Sequence, residues 1–365
     1  MKTKKNIWEG NFIYIIFSII IGFLVGAILL VIAGVDPMAT YSALLDGVFS
    51  DKKYITYDLV YAAPYILTGL SVAFAFKTGV FNIGAEGQFV VGSLAAVLVG
   101  LFLDLPPVIH GIVAILAAAI AGGIWGAIVG LLKVKRGINE VLSYIMFNWI
   151  AFYLSNFVVT KPGIKDDSVE ATRMVKDSAR ILLPENLRIA TRCSSANWGI
   201  VIAIVAALLL WFVISKTTMG YQFRAVGLSK TASEYGGISS SRVFLTSMAL
   251  SGVLAGIGGS VLTLGINGRI SQFAGQESFG FDGITVALIA GSNPIGCIFS
   301  GIFYGAMKYG GNKLTLVGAP KEVVNIIMGT IIFFIAIALL FKRLIKSAQE
   351  KKEAKKTVVV TEKED

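Results

Sequence analysis

Apolar residues gather in ten stretches, at about 12–34, 58–76, 81–103, 108–132, 138–159, 197–215, 242–266, 279–291, 295–311 and 322–341, parted by short polar segments. Most approach the ~20 residues that a helix needs to cross a hydrocarbon core. The pattern predicts an all-α, polytopic membrane protein of about ten transmembrane helices. The stretch at 279–291 is short and runs into Asn293-Pro294, so it is expected to be a half-helix or re-entrant element. Non-helical backbone at that depth needs protein or water around it. Small residues recur at every fourth position in Ala118, Gly122, Gly126 and Gly130, in Gly252, Gly256 and Ser260, and in Gly22 and Gly26. Such stripes let helices pack closely in lipid, and packing is what they are expected to do.

Polar residues inside these stretches carry more information. Residues 81–90 set Asn82, Glu86 and Gln88 at the head of an apolar run, with Phe89 following and glycines at 84 and 87. An ionisable group at a bilayer centre costs at least ~2.5–3.5 kcal/mol, so it faces a protein interior or a water-filled path. On a helix beginning at 81, Asn82 and Glu86 share a face with Phe89 and Ser93. Glu140, Tyr144 and Asn148 are likewise four apart along a second helix. Asn139 and Glu140 also suit the role of helix cap, since acids favour the positive end of the dipole. Asn82, Glu86, Gln88, Phe89, Glu140 and Asn148 are therefore candidates for a substrate pathway or gate. For Glu140 the alternative is a cap or a lock between helices.

Composition narrows the classes. At 15% charged residues and a mean hydropathy of +0.76, a soluble domain is excluded. The net charge of +10 is not that of a nucleic-acid binder, because the cations sit at helix ends and termini without interleaved aromatics. The basic start followed by apolar residues 12–34 exceeds a signal-peptide core and is expected to be a retained helix. With residues 1–11 inside and every segment crossing, the basic loops 77–80, 133–137 and 216–241, the short 292–294 turn and the charged tail 342–365 fall on the cytoplasmic side. Loops 35–57, 104–107, 160–196, 267–278 and 312–321 fall outside. Loop 160–196 is the exception to the charge rule, with seven Lys and Arg against five acids. Residues 12–341 are thus a transmembrane domain, with an external loop 160–196 and a cytoplasmic loop 216–241. In that cytoplasmic loop Ser229 can cap a short helix over Lys230–Tyr235, ended by Gly236 and Gly237.

Chemistry has little material. Cys193 and Cys297 lie in unlike contexts, His110 is the single histidine, and no P-loop, HExxH or GxSxG occurs. No metal and no catalytic residues are expected; a membrane enzyme using Glu86 and Glu140 lacks an acid–base partner for either.

Three of these stretches, with a fourth late in the chain, resemble the permease subunits of bacterial ABC importers in the branched-chain amino acid, ribose and nucleoside superfamily. They are Phe81-Asn-Ile-Gly-Ala-Glu-Gly-Gln88, Asn139-Glu-Val with Asn148, the Arg224–Ile238 loop, and Gly280-Phe-Asp-Gly-Ile-Thr-Val-Ala-Leu-Ile-Ala-Gly-Ser-Asn-Pro-Ile-Gly296. The likeness spans about 58–340 and is nearest to nucleoside permeases that work with basic-membrane-lipoprotein receptors. It implies a non-enzymatic transport subunit of the bacterial plasma membrane with both termini cytoplasmic. It also implies a separate ATPase that uses the ATP, no cofactor on this chain, a second permease and an extracellular substrate-binding lipoprotein. By motif, Arg224, Gly227, Ala232, Glu234, Tyr235 and Gly237 would lie at or near the ATPase. This loop departs from the family pattern in Ser229 for Asn, Ser233 for Ala and Gly236 for Ala. A sugar or branched-chain amino acid permease is the alternative within this architecture, and an ion-coupled secondary transporter the alternative outside it.

Overall fold

The computed structural model describes residues 11–320 and 322–337, and among them the regular structure is helical apart from isolated bridges. The tail from 338 onward and the first ten residues lie outside the described residues. Two compact units emerge among the described residues, one of residues 42–314 and one of the flanking residues before 42 and after 314.

In the flanking unit, α1 (Asn11–Ile32) meets a C-terminal helix over Val323–Ile337. A Cβ on Gly22 would stand 2.4 Å from Ile331 and one on Gly26 2.5 Å from Ile327, so this pair of glycines makes the close approach its spacing predicts. α2 (Pro37–Phe49) begins where Asp36 accepts from the Met38 N–H at 2.8 Å. It lies inside the expected loop 35–57, which is a correction. Its mixed composition hides a helix that a hydrophobicity scan passes over.

The 42–314 unit is built on α3 (Lys52–Lys77), α4 (Ala85–Phe102), α5 (Ile109–Arg136) and α6 (Glu140–Val159). After a folded 160–196 segment containing α7 (Glu185–Thr191), it continues with α8 (Gly199–Lys216), α9 (Thr218–Leu228), α10 (Lys230–Tyr235) and α11 (Ser240–Ser260). A π-helical end over Val261–Asn267 leads to α12 (Phe279–Ile289) and α13 (Pro294–Gly311). Local sequence explains the boundaries. Asp51 caps α3 through the Lys53 N–H, Asn139 caps α6 through Val141 and Leu142, and Asn293 caps α13 just before Pro294. Seven described helices are long and apolar enough to cross a membrane, and α12 and Val323–Ile337 are shorter apolar ones. The protein is a multi-pass membrane protein.

α11 is the centre of this unit, packing along α5, α4 and α3. The glycine stripes meet there. A Cβ on Gly252 would fall 2.1 Å from the Gly122 carbonyl, and one on Gly92 2.4 Å from Gly256. α3 is tied to α11 by a reciprocal pair, Ser71 Oγ donating to the Ser251 carbonyl at 2.7 Å and Ser251 Oγ to the Ser71 carbonyl at 3.0 Å. Lys77, Lys133, Lys135, Arg136 and Lys216 mark one basic end of the bundle.

Segment 160–196 lies at the other end and is ordered against the helix termini. Thr172 N–H donates to Ile270 at 2.8 Å, Val175 N–H to Gly268 at 2.9 Å, and Arg180 Nε to the Leu264 carbonyl at 3.0 Å. Four of its seven cations are held by ion pairs or by carbonyls at the end of α11. Lys165 pairs with Glu170, Lys176 with Asp104 and Arg192 with Asp51, while Arg180 satisfies carbonyls left free at the end of α11. His110 is a satisfied core histidine, held by Ser178 Oγ at 2.8 Å and the Val99 carbonyl at 3.1 Å.

Candidate functional site

α3 ends at Lys77 but α4 does not start until Ala85. The apolar stretch that should begin a helix at 81 runs as irregular backbone through Gly84. Asn82 and Glu86 therefore do not share a helical face, which corrects the expectation. Asn82 reaches instead into the bundle, its Nδ2 donating to Ser71 Oγ at 3.1 Å and to Gln88 Oε1 at 2.9 Å. Ser71 is six residues before the end of α3, about 9 Å along its axis, so the irregular backbone dips back toward the bundle interior.

A second interruption meets the first. α12 is 11 residues long, about 16 Å, too short to span a bilayer, and it starts beside the head of α4. A Cβ on Gly280 would stand 2.1 Å from the Glu86 nitrogen. Two broken helices thus point N-termini at one place, where free N–H groups would cost several kcal/mol each if unsatisfied in lipid.

The polar side chains singled out in the sequence satisfy them. Glu86 accepts from the Ser278 N–H at 2.8 Å and the Gly280 N–H at 2.7 Å. Asn82 Oδ1 accepts from the Gly84 N–H at 3.1 Å. Asn148 Oδ1 accepts from the Gly87 N–H at 2.9 Å, while its Nδ2 donates to the Ile83 carbonyl at 3.1 Å. Glu86 sits in the first turn of its own helix and against the first turn of α12, so two helix dipoles favour its negative charge. Ser278 holds a left-handed backbone, φ 71°, in the position bonded to Glu86. Strain of that kind costs ~1–3 kcal/mol and persists only where surrounding contacts impose it.

Asn82, Glu86, Gln88, Phe89 and Asn148 are brought together and are all buried. They form a sealed plug bonded to one another and to backbone rather than an open lining. Phe89 closes it on one side by stacking on Phe279 at 5.1 Å and 8°. Glu140 stands apart. It pairs with Lys133 at 2.7 Å, linking the end of α5 to the start of α6. The backbone donors of Ser278 and Gly280 were not legible as partners for Glu86, because a distant loop supplies them. Asp282 and Lys308, paired at 3.1 Å, were missed as well. The Gly-Phe-Asp-Gly spelling marked Asp282, but nothing in sequence linked it to α13.

At the basic end, residues 216–241 hold two helices where one was expected. Ser229 ends α9 and caps α10, its Oγ accepting from the Ala232 N–H at 3.3 Å, and Gly236 with Gly237 ends α10. Three of the predicted contact residues are tied to the rest of the chain, although Gly227 and Glu234 remain exposed. Arg224 donates to the Ile214 carbonyl, Glu234 accepts from Ser240 Oγ, and a Cβ on Gly227 would stand 2.3 Å from the Lys77 carbonyl. Ala232, Tyr235 and Gly237 lie on the open side. Tyr235 is 92% exposed and Leu228, which sequence reading passed over, 89%. Between α9 and α10 runs a groove of about 410 Å³, lined by residues that include Tyr221, Gln222, Leu228, Ala232 and Ile238. No cluster of His, Cys, Asp and Glu suited to a metal occurs among the described residues.

Comparison with known proteins fits this layout. Residues 54–336 match the family described as "Branched-chain amino acid transport system / permease component". The chain is similar to the guanosine ABC transporter permease protein NupP of Bacillus subtilis, 39% identical over 88% of this chain and 92% of that one. It is also similar to the nucleoside ABC transporter permease protein NupB of Lactococcus lactis subsp. cremoris, at 34% over 94% and 95%. The glucose ABC transporter permease protein TsgB13 of Haloferax volcanii is 29% identical over 90% and 88%. No solved structure matches the chain.

Proposed function

The chain belongs to the branched-chain amino acid transport system permease family, and on that footing we propose that it is the membrane permease of an ABC importer for nucleosides. A separate ATPase docks on α9 and α10 at the cytoplasmic side and supplies the ATP chemistry. A second permease and an extracellular receptor lipoprotein complete the assembly in the bacterial plasma membrane, with both termini inside. The observation that carries this reading is the α9–α10 projection, which presents Leu228 and Tyr235 to solvent beside a groove. Large apolar side chains so exposed on a rigid projection suit a partner surface. Two relatives above 30% identity, named for guanosine and nucleosides, support the substrate class.

Motion has a material route. The projection is anchored to the end of α3 through Gly227 and to the start of α11 through Glu234 and Ser240. Those two helices hold the Ser71–Ser251 pair, and Ser71 is bonded to Asn82 in the plug. A pull on α9–α10 by an ATP-bound partner would therefore reach the heads of α4 and α12. In alternating access the external receptor and ATP each favour a different state, since a ligand shifts an equilibrium only by its differential affinity. Asn82, Glu86, Gln88, Phe89, Asn148 and the Glu140 lock are then gate residues rather than lining.

The test is uptake of labelled guanosine in cells lacking this chain and in cells where it is restored. Uptake that returns with the chain, and that unlabelled nucleosides but not glucose or leucine suppress, is expected. Restoration of glucose uptake alone would replace nucleosides by sugar, as for the haloarchaeal relative.

A further inference from the structure

Tyr54, Tyr57, Tyr61 and Tyr65 follow one another on α3 at spacings of three, four and four, so their rings descend one face of the helix. α13 returns Tyr304 and Tyr309 to that face. Tyr309 stacks on Tyr57 at 5.6 Å and 11°, and on Tyr61 at 5.6 Å and 28°. Tyr304 packs on Tyr65 at 4.9 Å, and Tyr65 stacks on Phe279 at 4.9 Å and 24°. Phe279 in turn stacks on Phe89 at the plug. The result is a file of rings in two stacked sets, Tyr57–Tyr309–Tyr61 and then Tyr304–Tyr65–Phe279–Phe89, that follow one another along α3 to the point where the broken helices meet.

Three features set this file apart from a packed core. Tyr57, Tyr61 and Tyr309 are only half-buried, so their faces are not fully used by neighbours within the chain. The Asp282–Lys308 pair lies at its lower end, with Lys308 Nζ 5.5 Å from the Tyr304 ring, and an ion pair inside a membrane bundle faces protein or water rather than lipid. Asp58 shares the face, four residues after Tyr54 and seven before Tyr65. It is 4% exposed, and its Oδ1 is buried without any hydrogen-bond partner. A buried carboxylate oxygen with nothing to accept is a costly group to keep for packing alone.

We propose that this file is the track along which the transported nucleoside passes from the outer face to the plug, its base stacking on the tyrosine rings while a ribose hydroxyl donates to Asp58. This rests on the nucleoside reading above. Stacking on a file of rings suits a moving ligand, because every base offers a π-face and each step exchanges one ring for the next. A free sugar has no base to stack, so the file also supplies discrimination that the plug does not.

The experiment measures uptake in cells expressing the whole importer, normalised to the amount of this chain in the membrane. Tyr309→Leu and, separately, Tyr57→Leu should lower guanosine uptake about tenfold and uridine uptake less, because a purine loses more stacking area. The matching Tyr→Phe changes should recover most of that loss. Asp58→Leu, which removes the acceptor, should erase the preference of the wild type for guanosine over 2′,3′-dideoxyguanosine in competition, and Asp58→Asn should keep part of it. Equal losses in the Leu and Phe forms of the tyrosines, a purine-to-pyrimidine ratio unchanged by Leu there, or a ribose preference that survives Asp58→Leu would each overturn the track. Absence of nucleoside uptake in the wild type would instead remove the nucleoside reading beneath it.

Discussion

The plug at the heads of α4 and α12 and the α9–α10 projection both gather helix ends, yet they are finished differently. In the plug, Asn82, Glu86 and Asn148 are buried and each is bonded to at least one backbone group. In the projection, Leu228 and Tyr235 stand exposed beside the α9–α10 groove. A site completed from within holds a conformation. A site left incomplete waits for another surface. The first should therefore be sensitive to substitution in stability, and the second in association.

Glu86→Leu should have the largest effect. It strips the acceptor from the Ser278 and Gly280 N–H groups, at about 1–3 kcal/mol for each donor left buried. Little folded protein is expected on fluorescence-detected gel filtration in mild detergent, with Glu86→Gln intermediate because it retains one acceptor. Gly252→Val should follow, since even a Cβ would stand 2.1 Å from the Gly122 carbonyl and overpacking costs ~1–3 kcal/mol or more against backbone. Thermal unfolding in detergent should show it as a clearly lowered midpoint.

Leu228→Asp reverses the pattern. Its stability should stay within ~0.5 kcal/mol of the parent, because the side chain touches little within the chain. Copurification of the ATPase should fall at least ~10-fold, as for an anchor at an interface centre. A Glu140→Gln change at the half-exposed Lys133 pair is expected to cost only ~0.2–1 kcal/mol.

The smallest effect concerns pH. Lys176 beside Asp104, by hydrogen bond and charge, holds that carboxyl below its usual range. The contribution is present above the ordinary carboxylate pKa and fades as pH falls through the lowered one. Lys176→Met should slightly weaken the protein at neutral pH and leave it indistinguishable from the parent in strong acid, as a pH series of melting curves would show.

The all-α membrane class and the positions of most apolar helices were legible because lipid demands long apolar runs, and the Ser229 cap of α10 was legible because capping is local. The packing of the glycine stripes was legible from their spacing. α2 and α9 were not, since each mixes polar and apolar residues without a run long enough to stand out. The late start of α4 was hidden for a similar reason: Phe81 and Ile83 read as helix, although tertiary bonds to Ser71 and Asn148 hold them irregular. The residues of the plug could be named but not their partners, because the donors to Glu86 come from more than 190 residues away.

Reconstitution decides whether this chain is a conduit driven from outside itself. Proteoliposomes holding the complete importer and ATP should accumulate nucleoside, and those with the Leu228→Asp chain should not, although the chain inserts normally. Accumulation by the isolated chain without any ATPase, or undiminished ATP-driven accumulation with Leu228→Asp, would contradict it.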